Sequence, residues 1–241
     1  MVIECVPEDL DLKISVLGRI DRTAPLDCII ATNSASFRSR ELVSEVRHRE
    51  RVLNTLYYIP PANKCVELMS CGYTSPHLMP FLTTEMRTLG LTPFPVRTES
   101  LGLIFPRLFG TMKREVLKIL QEKVATPSDI DALFCDFFGA AKGPCRKMDE
   151  VGLDTVARTE EHFLNDRYGE LEAEGWRGVE GDSPGTHDYL EWLRTEYIEK
   201  GKLGEKSGEG LVVKKKENNA EKKHGDVEEV WKDHSLDLSG M

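Results

Sequence analysis

A carboxylate faces a leucine across a predicted β-hairpin, and these two residues define the first candidate site. Residues 51–59 and 64–69 predict two short strands, because Val, Leu, Tyr and Ile fill both runs and prolines occur only at the break, Pro60-Pro61. In this hairpin Leu56 and Glu67 face each other. Glu67 carries a carboxylate, whereas the Leu56 side chain cannot accept a proton.

Two tyrosines follow Leu56 and are the nearest alternative proton acceptors. Alternation along a strand points Tyr57 to the opposite face of the sheet. An unperturbed phenol, with a pKa of about 10, is a poor base near neutral pH. Tyr57 and Tyr58 are therefore interpreted as packing residues of the sheet.

The elements that position this hairpin alternate between strand and helix over the first hundred residues. Helix 75–89 ends before Gly90, a normal stop signal. The alternation predicts an α/β fold with a largely parallel sheet. The further predicted strands are 2–6, 28–32 and 92–96, and the further helices are 8–21 and a stretch around 38–47.

From about residue 102 the pattern becomes helical, with apolar residues at intervals of three and four. Ser128 is the predicted N-cap of one helix, and Gly143-Pro144 precedes another. The predicted helices are 103–122, 128–138, one after residue 144, 153–165 and 187–200, with a loop at 169–185. Three regions follow from this pattern: a sheet domain (1–98), a helical domain (99–212) and a charged tail (213–241) that lacks apolar periodicity and is predicted to be disordered.

Seven sequence blocks occur in an order that resembles the short, fungal-type NAD-dependent 3-hydroxyacyl-CoA dehydrogenases. They are VIECVPEDLDLK at 2–13, CIIATNSASF at 28–37, ERVLNTLYYIPP at 50–61 with VELM at 66–69, ESLGLIFPRL at 99–108, DID at 129–131, GPCRKMDEVGLDTV at 143–156 and KGKLGEKSGEG at 200–210. The resemblance concerns ancestry and fold, whereas activity has to be argued from the site.

The resemblance implies a reaction in which a hydride passes from C3 of a 3-hydroxyacyl-CoA to the nicotinamide of NAD while a histidine takes the hydroxyl proton. It assigns Glu67 as the carboxylate that orients this histidine. Leu56 stands in the histidine position, Ala35 in that of a serine, and Pro106 in that of an asparagine. Three polar catalytic groups are thus replaced by apolar residues.

The resemblance also assigns NAD contacts to Glu8, Lys13 and Lys206, although spacing alone suggests a solvated glutamate and two surface lysines. The chain contains no G-x-G-x-x-G turn for the pyrophosphate. The similarity begins at what would be the fourth strand of the nucleotide domain. We therefore expect a partial Rossmann-like doubly wound sheet that lacks its first βαβ half, an open sheet edge, and negligible NAD affinity.

Composition narrows the function classes. A formal net charge of −9 disfavours a nucleic-acid partner, and no apolar run approaches the ~20 residues that span a bilayer. Six cysteines without a C-x-x-C pair and six dispersed histidines predict reduced thiols, no metal site and a cytoplasmic location. The first residues lack the order of a signal peptide, and the last are not a peroxisomal address.

Three hypotheses remain for the function. The first is a dehydrogenase of fatty-acid or xenobiotic catabolism that acts on an acyl-CoA or related hydroxyacid and whose N-terminus was lost through a gene-model error. The second is a pseudoenzyme that keeps the helical domain as a dimerisation or regulatory module, since the resemblance implies a homodimer. The third is a gene remnant. Leu56, Ala35 and Pro106 favour the second and third, and the DNA upstream of Met1 would test the first.

Overall fold

The computed structural model describes residues 1–58, 60–173 and 188–213. In chain order the described elements are β1 (Val2–Glu4), α1 (Leu10–Thr23), β2 (Ile30–Thr32), β3 (Val52–Tyr57), β4 (Cys65–Ser70), α2 (Leu78–Thr88), β5 (Thr92–Pro95), α3 (Ile104–Gln121), α4 (Pro127–Phe138), α5 (Pro144–Val151), α6 (Leu153–Ala173) and α7 (Asp188–Leu193), which continues as a π-helical turn, Arg194–Ile198.

The five strands form one sheet in the order β1-β2-β3-β4-β5. The pairs β1–β2, β2–β3 and β4–β5 are parallel, whereas β3 and β4 form the antiparallel hairpin. The predicted fold class, an α/β sheet followed by a helical domain, is confirmed.

The two edges of the sheet differ. In β5 the N–H groups of Thr92 and Val96 donate to the carbonyl oxygens of Lys64 and Leu68, each at 2.8 Å. Because successive residues of a strand point to opposite sides, the nitrogens of Pro93 and Pro95 face away from β4. At the other edge, β1 pairs with β2.

Apolar residues of the strands divide between two faces of the sheet, as strand alternation requires. Ile30 and Val52 pack with Leu17 of α1 on one face. Ala31 and Leu53 belong to the cluster on the other face, which includes Leu82 and Met86 of α2. The helical domain has its own core, formed by residues of α3, α5, α6 and α7.

A buried ion pair fixes α1 against the start of β3. The guanidinium of Arg51 donates to Asp21 Oδ1 at 2.8 Å and to the carbonyl oxygens of Asp21 and Pro25. Burial acts to raise the pKa of Asp21, but the hydrogen bonds and charge of Arg51 outweigh it and hold that pKa below its usual value.

The helix predicted around residues 38–47 is wrong. This stretch contains one 3₁₀ turn, Ser39–Leu42. Side chains from elsewhere satisfy its backbone: Asn54 accepts from Ser39 N at 2.7 Å, and Asp21 accepts from Arg47 N at 2.9 Å. These long-range bonds replace the local bonds of a helix.

Two boundaries in the helical domain also differ from the prediction. The N-cap of α4 is Thr126, which forms a reciprocal capping box with Asp129, and Ser128 lies inside the helix. Helix α6 runs to Ala173, so residues 169–173 of the predicted loop are helical. Residues 174–187 and the predicted tail from 214 onward lie outside the described residues.

Two aspartates of the motif blocks hold the helical domain together. Asp131 accepts from Cys145 N and Arg146 N at the start of α5, each at 2.8 Å. Asp149, fully buried, accepts from the N–H groups of Leu211, Val212 and Val213 at 2.8–2.9 Å. Burial raises the pKa of Asp131 above its ordinary value, although the two N–H donors oppose this.

Candidate active site

The structure places Leu56 directly opposite Glu67 in the register of β3 and β4, as predicted. Leu56 is only 6% exposed and packs with Met69 and Leu103. Ala35, in the turn after β2, packs against the same cluster. The position that the resemblance assigns to the base is therefore part of an apolar core.

Glu67 is buried, and its carboxylate caps the first turn of α3. Oε2 accepts from Ile104 N at 2.5 Å and Oε1 accepts from Phe105 N at 2.9 Å. Such backbone donors are otherwise unsatisfied at a helix N-terminus, and a negative charge there is stabilising. Glu67 thus joins the sheet to the helical domain.

Tyr58 donates its phenolic hydroxyl to Glu67 Oε1 in a short hydrogen bond. Its ring meets Phe105 edge-on at 5.4 Å. Burial, together with the hydrogen bond to the charged Glu67, raises the pKa of Tyr58 strongly. The interpretation of Tyr58 as a packing residue alone is wrong. Alternation already placed it on the face of Leu56, which was the signal for this contact.

Replacing Tyr58 with Phe should reduce the loss of stability at alkaline pH. The folded pKa of Tyr58 is raised, so its contribution is complete below the unfolded pKa of about 10 and is lost as the pH rises above it. We expect the free energy of unfolding in urea to fall less steeply above pH 10 in Tyr58→Phe than in the native chain. The exposed Tyr73→Phe is the matched control, and parallel curves for all three proteins would contradict the expectation.

Glu8 stabilises the turn that contains Ala35. Its carboxylate accepts from Ser34 Oγ at 2.9 Å and from Ala35 N at 3.2 Å. The N–H of Phe37 donates to Ser34 Oγ at 2.9 Å and closes the same turn. Ala35 therefore takes the backbone place that the resemblance gives to a serine, but it offers no hydroxyl.

Lys13 is 2% exposed, so its interpretation as a surface lysine is wrong. Its Nζ lies 2.8 Å from Glu4 Oε1 and 3.5 Å from Glu8 Oε2. The hydroxyl of Thr32 donates to the other oxygen of Glu4 at 2.6 Å. The ammonium is committed to this buried network and is not presented to a ligand.

Pro106 and Lys206 lie in different parts of the helical domain. Pro106 is in the first turn of α3, where a proline is tolerated. It follows the two residues whose N–H groups donate to Glu67. Lys206 pairs with Asp154 at the start of α6. Strand pairing and packing bring Glu67, Leu56 and Ala35 into one site, which Pro106 adjoins through those two residues. Among the described residues, no hydrogen bond or ion pair joins Lys206 to Glu8 or Lys13.

This arrangement cannot take a proton from a substrate hydroxyl in the manner that the resemblance implies. Leu56 has no basic atom, and both oxygens of Glu67 already accept hydrogen bonds. Of the residues assigned to NAD, Lys13 is bound to Glu4 and Lys206 to Asp154. Within the described residues, no group of three metal-ligating side chains and no membrane-spanning helix is found.

Two family profiles match nearly all of the described chain. The profile for the "3-hydroxyacyl-CoA dehydrogenase, NAD binding domain" covers residues 1–99, and that for the "3-hydroxyacyl-CoA dehydrogenase, C-terminal domain" covers residues 102–214. The 3-hydroxyacyl-CoA dehydrogenase-like protein LAM1 of Cochliobolus heterostrophus is 37% identical over 163 residues, which are 67% of this chain and 31% of that protein.

Further similarities agree with these profiles. The human mitochondrial hydroxyacyl-coenzyme A dehydrogenase is 26% identical over 212 residues, which are 88% of this chain and 62% of that protein. The chain thus spans less than two thirds of the length of these two relatives. The crystal structure of (S)-3-hydroxybutyryl-CoA dehydrogenase PaaH1 from Ralstonia eutropha matches with a TM-score of 0.71 and 26% identity, over 88% of this chain and 69% of that one. The chain therefore belongs to the 3-hydroxyacyl-CoA dehydrogenase family.

Proposed function

We propose that this chain is a non-catalytic member of the family, a pseudoenzyme that acts through its helical domain as a dimerisation or regulatory module. The observation that carries the proposal is the set of contacts that Leu56 and Glu67 make in the hairpin site. Leu56 is packed in an apolar cluster opposite Glu67, and Glu67 is used as a helix cap. The hypothesis of an active dehydrogenase on an acyl-CoA or hydroxyacid requires a base at position 56 and a Glu67 carboxylate that orients it. The hypothesis of a gene remnant does not require the ordered contacts that this site has.

The chain should bind NADH negligibly. Glu8, Lys13 and Lys206 are engaged with other side chains, and the sequence has no glycine-rich turn to cradle the pyrophosphate. Titration of the chain into NADH, followed by nucleotide fluorescence, should show no saturable change. A full-length dehydrogenase of the family is the positive control. A micromolar dissociation constant for this chain would contradict the expectation.

The partner that we propose for the helical domain is a second copy of this chain. Helix α4 has no buried residue, and Leu133, Phe137 and Phe138 are 72%, 78% and 66% exposed. The Phe137 and Phe138 rings lie 5.0 Å apart, so the exposed apolar groups are contiguous. A patch of this kind on a soluble domain marks an interaction surface, and in a symmetric dimer it would meet its own copy.

A single charged side chain introduced into the exposed apolar surface of α4 should prevent dimerisation. We expect the native chain to scatter light as a dimer and Phe137→Glu to scatter as a monomer, because a carboxylate cannot be desolvated in an apolar interface. Leu89→Glu is the control, since Leu89 is 77% exposed but belongs to the sheet domain. A native chain that is monomeric at high concentration would contradict the proposal.

The cysteine chemistry is consistent with our further proposal of a cytoplasmic location. All six cysteines are free in the structure, and reduced thiols are the rule in the cytosol. Fluorescence microscopy of the chain with a C-terminal fluorescent tag would test this location.

A further inference from the structure

A groove of about 700 Å³ follows the outer face of α3, between this helix, the segment that joins the two domains, and one aromatic ring of α6. This volume is in the range of small-molecule sites. Its lining combines apolar residues with the arginines Arg107 and Arg114, the carboxylate of Glu99 and three hydroxyl side chains.

The groove adjoins the hairpin site at Ile104, whose N–H donates to Glu67, but its polar α3 residues lie on another face of the helix. Arg107, Thr111 and Arg114 are spaced by four and three residues, so they share one face of α3. Phe105 and Phe109, which stack at 5.6 Å, lie on the face that meets Tyr58. The charged lining of the groove therefore lies on a different face of α3 from the aromatic residues that meet Tyr58.

Arg107 is the charged group best suited to bind a ligand. Gly102 has no side chain, and a Cβ placed there would lie 3.2 Å from Arg107 Cγ and 3.5 Å from the Phe163 ring. The backbone of Gly102, the stem of Arg107 and the ring of Phe163 are therefore closely packed. Arg107 makes no ion pair with any described residue. Its stem is thus positioned by packing while its guanidinium keeps its donors available.

Two carboxylates at this place, Glu99 of the groove lining and the neighbouring Glu160, are already paired. Glu99 binds Arg40 Nη2 at 2.6 Å, and the buried Glu160 binds Arg114 Nε at 2.5 Å. With these two acids neutralised, Arg107 contributes an uncompensated positive charge in a chain whose formal net charge is −9. A guanidinium offers a planar fork of donors that matches an oxyanion.

Part of the remaining wall is apolar, beside the hydroxyl side chains of Thr98, Ser100 and Thr111. Ile104 and Leu108 line it and are 47% and 66% exposed, although both are large hydrophobic residues. We propose that the groove binds a small amphiphile whose oxyanion, a carboxylate or a phosphate monoester, pairs with Arg107 and whose apolar body lies along Ile104 and Leu108. This site does not depend on the proposed pseudoenzyme function.

Isothermal titration of the full chain with octanoate, octyl phosphate and octanol tests the site. We expect saturable binding of at least one of the two anions and binding of octanol at least about tenfold weaker, because octanol lacks the charged oxygens that would accept from the Arg107 guanidinium. The tighter anion identifies the source of the oxyanion. No binding of either anion, or equal binding of octanol, would overturn the proposal.

Two variants locate the ligand in the groove. Arg107→Met keeps the apolar stem and should weaken anion binding about tenfold, and Leu108→Ser should weaken it through the apolar wall. Arg158→Met removes an exposed arginine of α6 that does not line the groove, and binding should stay within about twofold of the native chain. Urea unfolding of each variant verifies that it is folded. Unchanged anion binding in a folded Arg107→Met chain would overturn the proposal.

Discussion

Leu56→His alone is expected to give no measurable NADH production from a 3-hydroxyacyl-CoA, although it restores the residue type that the family uses as a base. A positioned general base contributes about 10²–10⁴ in rate, so the substitution would be the obvious repair. The structure explains why it should fail. The new imidazole would enter an apolar cluster with Met69 and Leu103, and Tyr58 would compete with it for Glu67.

Two further absent groups make the single repair insufficient. Ala35 and Pro106 supply no side-chain donor to the substrate oxygen, and groups that act as a unit are strongly non-additive. Activity should return only when the first βαβ half of an active family member is fused ahead of Val2 and Leu56→His, Ala35→Ser and Pro106→Asn are combined. The assay is NADH absorbance with a 3-hydroxyacyl-CoA.

The control for this repair is the same fusion with the three native residues. It should remain inactive, because the fused half supplies only the nucleotide site. Comparable turnover by the control would mean that Leu56 does not occupy the position of the base. The pseudoenzyme proposal would then be wrong.

Asp149→Ala is expected to lower the free energy of unfolding by about 3 kcal/mol or more. The carboxylate accepts three backbone N–H groups, one buried and two partly buried, and a buried unsatisfied donor costs about 1–3 kcal/mol. The loop packs tightly around this residue, since an added Cβ at Gly204, whose φ is +89°, would lie 2.3 Å from the Asp149 carbonyl oxygen. Alanine therefore removes the acceptor without giving water an easy entry.

Urea unfolding measures this difference directly. Glu150→Ala is the matched control, because Glu150 is the next residue and pairs at the surface with Lys142 and Lys147. Surface ion pairs contribute about 0–1 kcal/mol each, so we expect a much smaller loss in this variant. Equal losses in the two variants would show that the loop is not held by the Asp149 carboxylate.

The sequence was sufficient to predict the hairpin and the pairing of Leu56 with Glu67. Two β-rich runs and a proline turn define the register of neighbouring strands, so the partner across the hairpin follows from local spacing. The alternation of strands and helices predicted the fold class for the same reason. Each of these predictions depends on residues close together in the chain.

Contacts between distant residues could not be predicted from spacing. Glu67 caps a helix that begins 37 residues later, and the burial of Lys13 requires both Glu4 and Thr32. The wrong helix around 38–47 has the same cause, since Asn54 and Asp21 satisfy that backbone from outside the segment. Long-range side-chain hydrogen bonds override local propensity at these places.

The prolines of β5 determine which edge of the sheet can pair with a further strand. Pro93 and Pro95 present no N–H at the outer side of β5, so an approaching strand would find no backbone donor at these two positions. In the part of the chain that the structure describes, β1 is the other edge, and its three residues contain no proline. Any strand that extends this sheet, from the same polypeptide or from another molecule, is therefore directed to Val2–Glu4, while the opposite side is protected against edge-to-edge aggregation.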